Sequence, residues 1–203
     1  MPLTGRFYGG SPMGGGRTIL DFGLCDTKGV YLYTAKLRAK GLLAIVFFST
    51  ASVGSVEVLK AVQDWTASVK TDKWTPIAVA NASAEELTEF AEKNGLTDIT
   101  FLLDYEYYQT RNLGISHVPT LLIVSGKTGQ VLQRVQGNIA EEIGTAGALL
   151  KAEVAKIVAA EEAAKAATAK AAEEKAAADK KAAEEKAEAA AAEAKGASEP
   201  AKV

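Results

Sequence analysis

Cysteine and histidine each occur once in this 203-residue chain, as Cys25 and His117. One cysteine excludes an intrachain disulfide and any zinc site built on two or more thiolates. One histidine excludes a multi-histidine metal centre. A serine hydrolase would have to rely on His117, and no Gly-x-Ser-x-Gly elbow accompanies it. No metal and no cofactor are expected. Long apolar runs are also missing. The longest, Leu42-Leu43-Ala44-Ile45-Val46-Phe47-Phe48, falls far short of the about 18–20 residues of a membrane helix. The opening residues, Met1-Pro2-Leu3-Thr4-Gly5-Arg6-Phe7-Tyr8, contain no apolar secretory core, so the expected compartment is the cytoplasm.

An excess of charge of one sign is lacking as well. Residues 1–158 carry 15 basic and 15 acidic side chains. A neutral body gives no broad electrostatic grip on nucleic acid. Residues 159–195 lack aromatic and branched aliphatic side chains and consist of 20 alanines, 7 lysines, 9 acidic residues and one threonine. Such a segment cannot build a core, yet it favours helix. Alanine, lysine and glutamate have high helix propensity, and opposite charges four apart recur, as in Glu161–Lys165, Lys170–Glu174 and Lys181–Glu185. Alanine alone makes a thin coiled-coil seam, and the acids outnumber the lysines, so DNA is not an expected partner.

The chain therefore reads as three parts. Residues 1–17, with Gly9-Gly10-Ser11-Pro12 and Gly14-Gly15-Gly16, are expected to form a flexible arm bearing Phe7 and Tyr8 as candidate anchors. Residues 18–158 are the globular domain, and 159–203 are an Ala/Lys/Glu-rich helical extension. Within the domain, 18–24 and 30–33 read as a hairpin turning at Asp26-Thr27-Lys28-Gly29. Residues 42–49 read as a central strand, 53–69 as a helix and Trp74–Ala80 as a second buried strand. Ser83-Ala84-Glu85-Glu86 reads as a capping box in which Glu86 reaches back, with Gly95 as the helix stop. Residues 99–103 form a strand and 105–113 a short helix. Thr120–Val124 and 130–135 are strands joined at Gly126-Lys127-Thr128-Gly129. The last helix begins near Ala140, with Leu149, Leu150, Val154, Ile157 and Val158 as its apolar stripe. Strands alternating with helices and a closing hairpin predict a central mixed sheet covered on both faces. Trp65 and Trp74 are expected to pack in the core.

Several landmarks occur in a familiar order. These are Asp21-Phe22-Gly23-Leu24-Cys25-Asp26-Thr27-Lys28-Gly29, then Leu37-Arg38-Ala39-Lys40-Gly41 before a strand ending Phe47-Phe48-Ser49-Thr50. Later come Leu113-Gly114-Ile115-Ser116-His117-Val118-Pro119-Thr120 and the glycines at 126, 129 and 137. In that order they resemble the redoxin branch of the thioredoxin-like superfamily, the TlpA- and ResA-like proteins and the peroxiredoxins, across roughly residues 20–138. The resemblance implies an α/β three-layer sandwich around a mixed sheet, here with a long C-terminal helix. It also implies a cis-proline at Pro119, with Val118 offering backbone hydrogen bonds to an extended ligand.

The resemblance implies a Cys-x-x-Cys at the start of the helix after Thr50, where the helix dipole stabilises a thiolate. The chain reads Ser52-Val53-Gly54-Ser55 instead, and the peroxiredoxin register places Val53 at the nucleophile. Serine cannot form a disulfide, and its hydroxyl does not ionise in the physiological range. Ser52 and Ser55 are expected as helix cap and first turn, with a seryl nucleophile near His117 as the remote alternative. The expected function is a redox-inactive scaffold, accessory subunit or adaptor with protein partners, alone or within a larger complex, and no membrane span. One alternative is oxidoreductase or peroxidase-like chemistry through Cys25, which is otherwise expected to be a buried apolar cysteine. Another is a chaperone-like peptide binder using Val118–Pro119. Tyr105, Tyr107 and Tyr108 form a candidate interface.

Overall fold

The computed structural model describes residues 17–196. The glycine-rich arm with Phe7 and Tyr8, and residues 197–203, lie outside the described residues. The chain divides into two units between Ile157 and Val158.

Among the described residues seven strands form one sheet: β1 (Gly23–Asp26), β2 (Tyr31–Tyr33), β3 (Leu42–Phe47), β4 (Trp74–Ala80), β5 (Thr100–Leu103), β6 (Thr120–Val124) and β7 (Val131–Gln136). Their spatial order is β2-β1-β5-β4-β3-β6-β7. β3, β4 and β5 run parallel, and every other pairing is antiparallel. The helices are α1 (Thr34–Arg38), α2 (Val53–Ser68), α3 (Ala84–Asn94), α4 (Tyr108–Asn112) and α5 (Ala140–Gly196).

All six residues of β3 are buried, as befits a central strand covered on both faces. Successive side chains point to opposite faces. Leu43, Ile45, Phe47, Ile77, Val79, Leu102, Leu122 and Val124 form one cluster with Ile19, Phe22 and Ile115, against which Leu37 and Leu113 pack. The β3-α2-β4 and β4-α3-β5 crossovers advance in the same direction across the sheet. Right-handed connections therefore put α2 and α3 together on the opposite face. There Phe48 meets Phe90 of α3 at 5.4 Å and Phe101 at 5.8 Å between ring centroids. The first part of α5 joins them, burying Ile143, Ala146, Leu150 and Val154. Its apolar stripe thus starts earlier than the sequence reading had it, and Leu149, Ile157 and Val158 are half-buried flanks.

Pro76 sits inside a central strand, where a missing N–H is normally excluded. The Lys73 and Val79 carbonyls accept from Leu42 and Phe48 of the β3 chain. Odd-numbered residues of β4 therefore face β3, and Pro76 faces β5. Pairing with β5 starts at Ile77, so the proline lies one residue outside the ladder.

The opening hairpin is shorter than expected. β1 covers 23–26, while Thr18 bridges to Gln130 beside β7. Between them Asp21 accepts two hydrogen bonds from Arg38, from Nε to Oδ1 at 2.8 Å and from Nη2 to Oδ2 at 2.6 Å. Arg38 Nη1 donates to the Gly126 carbonyl at 2.6 Å. This guanidinium ties the N-terminal segment, α1 and the β6–β7 turn together. The turn approaches so closely that a Cβ on Gly126 would lie 1.5 Å from the Gly41 carbonyl oxygen. Helix α1 itself falls where the sequence reading assigned no element. The predicted helix at 105–113 is split into a 3-10 turn, Tyr105–Tyr107, and α4.

Candidate functional site

The β3–β6 register, with Phe47 opposite Thr120, brings the residues after β3 and those before β6 to the same end of the sheet. Here α2 begins. Ser52 stands at its N-cap with extended backbone, but its hydroxyl makes no capping bond. Ser55 is fully buried in the first turn. Its N–H donates to the Ser52 carbonyl at 3.1 Å, and its Oγ accepts from the Ser49 N–H at 3.4 Å. The two serines therefore occupy the cap and first turn of α2, and only one hydroxyl is engaged. Val53 between them is 85% exposed. Gly54 abuts the β7–α5 loop, since a Cβ there would lie 2.9 Å from Cβ of Asn138. The next residue, Ile139, is 46% exposed.

Facing this helix start is the loop before β6. The Val118–Pro119 peptide is cis. The Pro119 carbonyl accepts from the Gly137 N–H at 2.7 Å, and the His117 carbonyl from Thr120 Oγ1 at 2.6 Å. Arg134 Nη2 reaches the Gly114 carbonyl at 3.3 Å. Burial, and then the nearby Arg17, hold the Arg134 guanidinium below its ordinary pKa. Among the described residues the N–H and C=O of Val118 make no hydrogen bond. His117 is exposed, and its Nδ1 pairs with Ser116 Oγ at 2.9 Å. It makes no hydrogen bond to Ser52 or Ser55, so the structure assembles no serine–histidine couple at the helix start.

Glu86 does not close the capping box. Ser83 Oγ accepts from the Glu86 N–H at 3.1 Å, as the box requires, but the Glu86 carboxylate accepts from Thr50 Oγ1 instead. The site loop is thereby tied to α3, a link the sequence spacing gave no sign of.

Cys25 lies elsewhere. It is on β1, paired across to Tyr31 of β2 and Leu103 of β5, and it is partly exposed rather than buried. Two strands separate β1 from β3, a gap of roughly 14 Å at about 4.8 Å per strand. Tyr105, Tyr107 and Tyr108 are exposed at the end of β5. Sequence reasoning missed two further exposed tyrosines, Tyr31 and Tyr33 on the edge strand β2. The signal was present in Gly23: the Tyr31 ring lies over it, so that a Cβ at 23 would be 2.0 Å from Tyr31 Oη. Trp65 and Trp74 are both buried, as expected. Among the described residues no group of three or more His, Cys, Asp or Glu side chains could hold a metal ion, and no helix is long and apolar enough to cross a membrane.

No family model matches the chain, and no curated protein matches it either. Solved structures do. A protein described as a thiol:disulfide interchange protein, DsbE, from Chlorobium tepidum superposes with a TM-score of 0.62 at 16% identity, over 69% of this chain and 97% of that one. Peroxidoxin BcpB from Mycobacterium tuberculosis gives 0.59 at 19% identity, over 69% and 97%. A thiol-disulfide oxidoreductase from Bacteroides fragilis gives 0.56 at 19%, over 66% and 98%.

Proposed function

Starting from a thioredoxin-like fold with serine at both dithiol positions, we propose that this protein is a redox-inactive binding module, an adaptor or accessory subunit that holds an extended segment of a protein partner. The observation that carries the reading is the helix start itself, with Ser52 at the N-cap position and Ser55 buried. The disulfide chemistry named for the structural neighbours would need a thiol at this position. A hydroxyl neither ionises here nor forms a mixed disulfide. The remaining thiol, Cys25, lies on β1, away from this helix start.

The surface suits binding. Among the described residues neither backbone group of Val118 is hydrogen-bonded, so an extended segment could add to it by main-chain hydrogen bonds. Val53 and Ile139 present exposed apolar side chains on the adjoining elements, and the run 51–54 carries no charge. The favoured ligand is therefore an extended, apolar stretch of protein.

Two measurements test this. In an insulin-reduction assay with dithiothreitol the protein is expected to give background rates. Turnover that survives Cys25→Ser would overturn the redox-inactive assignment. Binding of reduced, carboxymethylated lactalbumin, an unfolded apolar probe, is expected to weaken about tenfold in Val53→Asp with Ile139→Asp, a loss of ~1.4 kcal/mol. Equal binding by both proteins would remove this surface from the proposal.

A further inference from the structure

The turn after β5 holds two consecutive non-glycine residues at positive φ, Glu106 at 51° and Tyr107 at 56°. L-residues are disfavoured there, and such conformations persist only where the surroundings impose them. The surroundings do so here. Asp104 is fully buried. Its Oδ1 accepts from the Gln109 N–H at 2.8 Å, and its Oδ2 from the Thr110 N–H at 2.8 Å and Thr110 Oγ1 at 2.6 Å. The Asp104 carbonyl accepts from the Tyr107 N–H at 3.1 Å. From the side, Asn81 Oδ1 accepts from the Glu106 N–H, also at 3.1 Å. A buried carboxylate and a strand-end asparagine thus fix a strained turn.

That rigid turn displays aromatic surface. Tyr105 is 83% exposed, Tyr108 61% and Tyr107 39%. Burying the rings would have been the ordinary outcome, since aromatic side chains carry the largest apolar payload. The local charge is lopsided. Across Asn81–Leu87 and Asp104–Asn112 the exposed ionisable side chains are Glu85, Glu86 and Glu106, against Arg111 alone. Tyrosine faces attract cations, and a carboxylate set among them supplies the complementary charge.

We propose that the Tyr105–Tyr108 turn is a second docking site, separate from the Val118 loop, and that it takes an extended cationic segment of a partner protein. Arginine or lysine side chains of the partner lie against the Tyr105 and Tyr108 rings, and Glu106 pairs with one of them. Arginine is the better fit, because its planar guanidinium stacks on aromatic faces.

The test uses the full chain and a fluorescein-labelled octapeptide of alternating arginine and alanine, titrated by fluorescence anisotropy beside the matching glutamate–alanine octapeptide. The arginine peptide is expected to bind, more weakly as salt rises, and the glutamate peptide not to bind. Tyr105→Ala with Tyr108→Ala should weaken binding about tenfold, and Glu106→Gln about threefold. Both tyrosines are exposed, so the double variant should retain its melting temperature. Unchanged affinity in the double variant would overturn the proposal and assign any binding to other acidic groups of the chain. Equal binding of the two peptides, or no arginine-peptide binding below about 1 mM, would overturn it as well.

Discussion

Gly147 of α5 lies against the indole of Trp65 of α2, so closely that a Cβ at position 147 would be 2.7 Å from Trp65 Cε2 and Nε1. The glycine is there to admit the ring. Alanine at this helical position would gain about 1 kcal/mol of propensity. It would also force a rigid ring to move within a packed core, at a cost of ~1–3 kcal/mol. Gly147→Ala is therefore expected to destabilise by about 1 kcal/mol, read from urea unfolding. In a Trp65→Leu background the same change should become neutral or stabilising. Additive effects of the two substitutions would mean that the contact does not form.

The Asp21–Arg38 pair makes stability depend on acid. The Arg38 hydrogen bonds hold the Asp21 carboxyl below the usual carboxylate range, against the opposing effect of burial, with the guanidinium charge and Thr34 adding to the depression. The folded state thus binds the proton less readily than the unfolded chain. The contribution is complete above the unfolded value of ~3.9 and disappears as pH falls through the lowered folded value. Solvent screening limits it to about 1 kcal/mol. Asp21→Asn should cost that much at pH 7 and progressively less as pH falls below the ordinary carboxylate range, measured by chemical denaturation at pH 7 and at pH 2. An equal loss at both pH values would exclude the ion pair as its source.

The helix start should accept thiols. Ser52 and Ser55 are one turn apart at the cap and first turn of α2. Ser52→Cys with Ser55→Cys is expected to form a reversible intrachain disulfide under mild oxidation, seen by mass after thiol labelling. The first thiol should be acidic, because the helix terminus stabilises its anion. Failure of the folded double variant to oxidise would move the site away from this helix.

The domain's need for α5 ends early. Leu150 and Val154 are buried, and each contributes ~1.5–3 kcal/mol if its burial is lost. A chain ending at Gly144 should be strongly destabilised. One ending at Ala160 keeps, among the described residues, every buried one of α5 and should melt within a few degrees of the full chain, by calorimetry. Unfolding of the longer truncation would show that the alanine-rich segment contributes to stability in its own right.

Much of the fold was legible because its strongest signals are local. The apolar run at 42–48, the glycine stop at Gly95 and the Ser83 cap are each visible within a few residues. What escaped depends on partners distant in sequence. Helix α1 has no strong pattern of its own, and Arg38 near its end gains meaning only beside Asp21 and Gly126. The Ser83–Glu86 spacing suggested a self-contained box, but tertiary structure offers Glu86 a better partner in Thr50. The split at 105–113 follows from Asn81 and buried Asp104 holding Glu106 and Tyr107 in a conformation that propensity disfavours. At the site, serine at both ends of the run 52–55 was plain in the residues. The availability of the Val118 backbone followed only from the resemblance, and the exposure of Ile139 was not legible at all, since it depends on how loops meet at the end of the sheet.

The pairing of residues 17–19 with 129–131 bears on how the molecule assembles in time. The Ile19 N–H reaches the Gly129 carbonyl at 3.0 Å, and the Val131 N–H reaches Arg17 at 2.7 Å. These groups lie about 110 residues apart along the chain, and the entropy of closing so long a loop must be met before this short contact returns anything. The parallel strands β3, β4 and β5 enclose much shorter loops and can form first. The pairing then acts as a clasp, closing late in folding and opening early in native fluctuations. Hydrogen exchange should record it: the Ile19 and Val131 amides should exchange through small openings, while those of Leu43 and Ile45 should wait for the whole sheet to unfold.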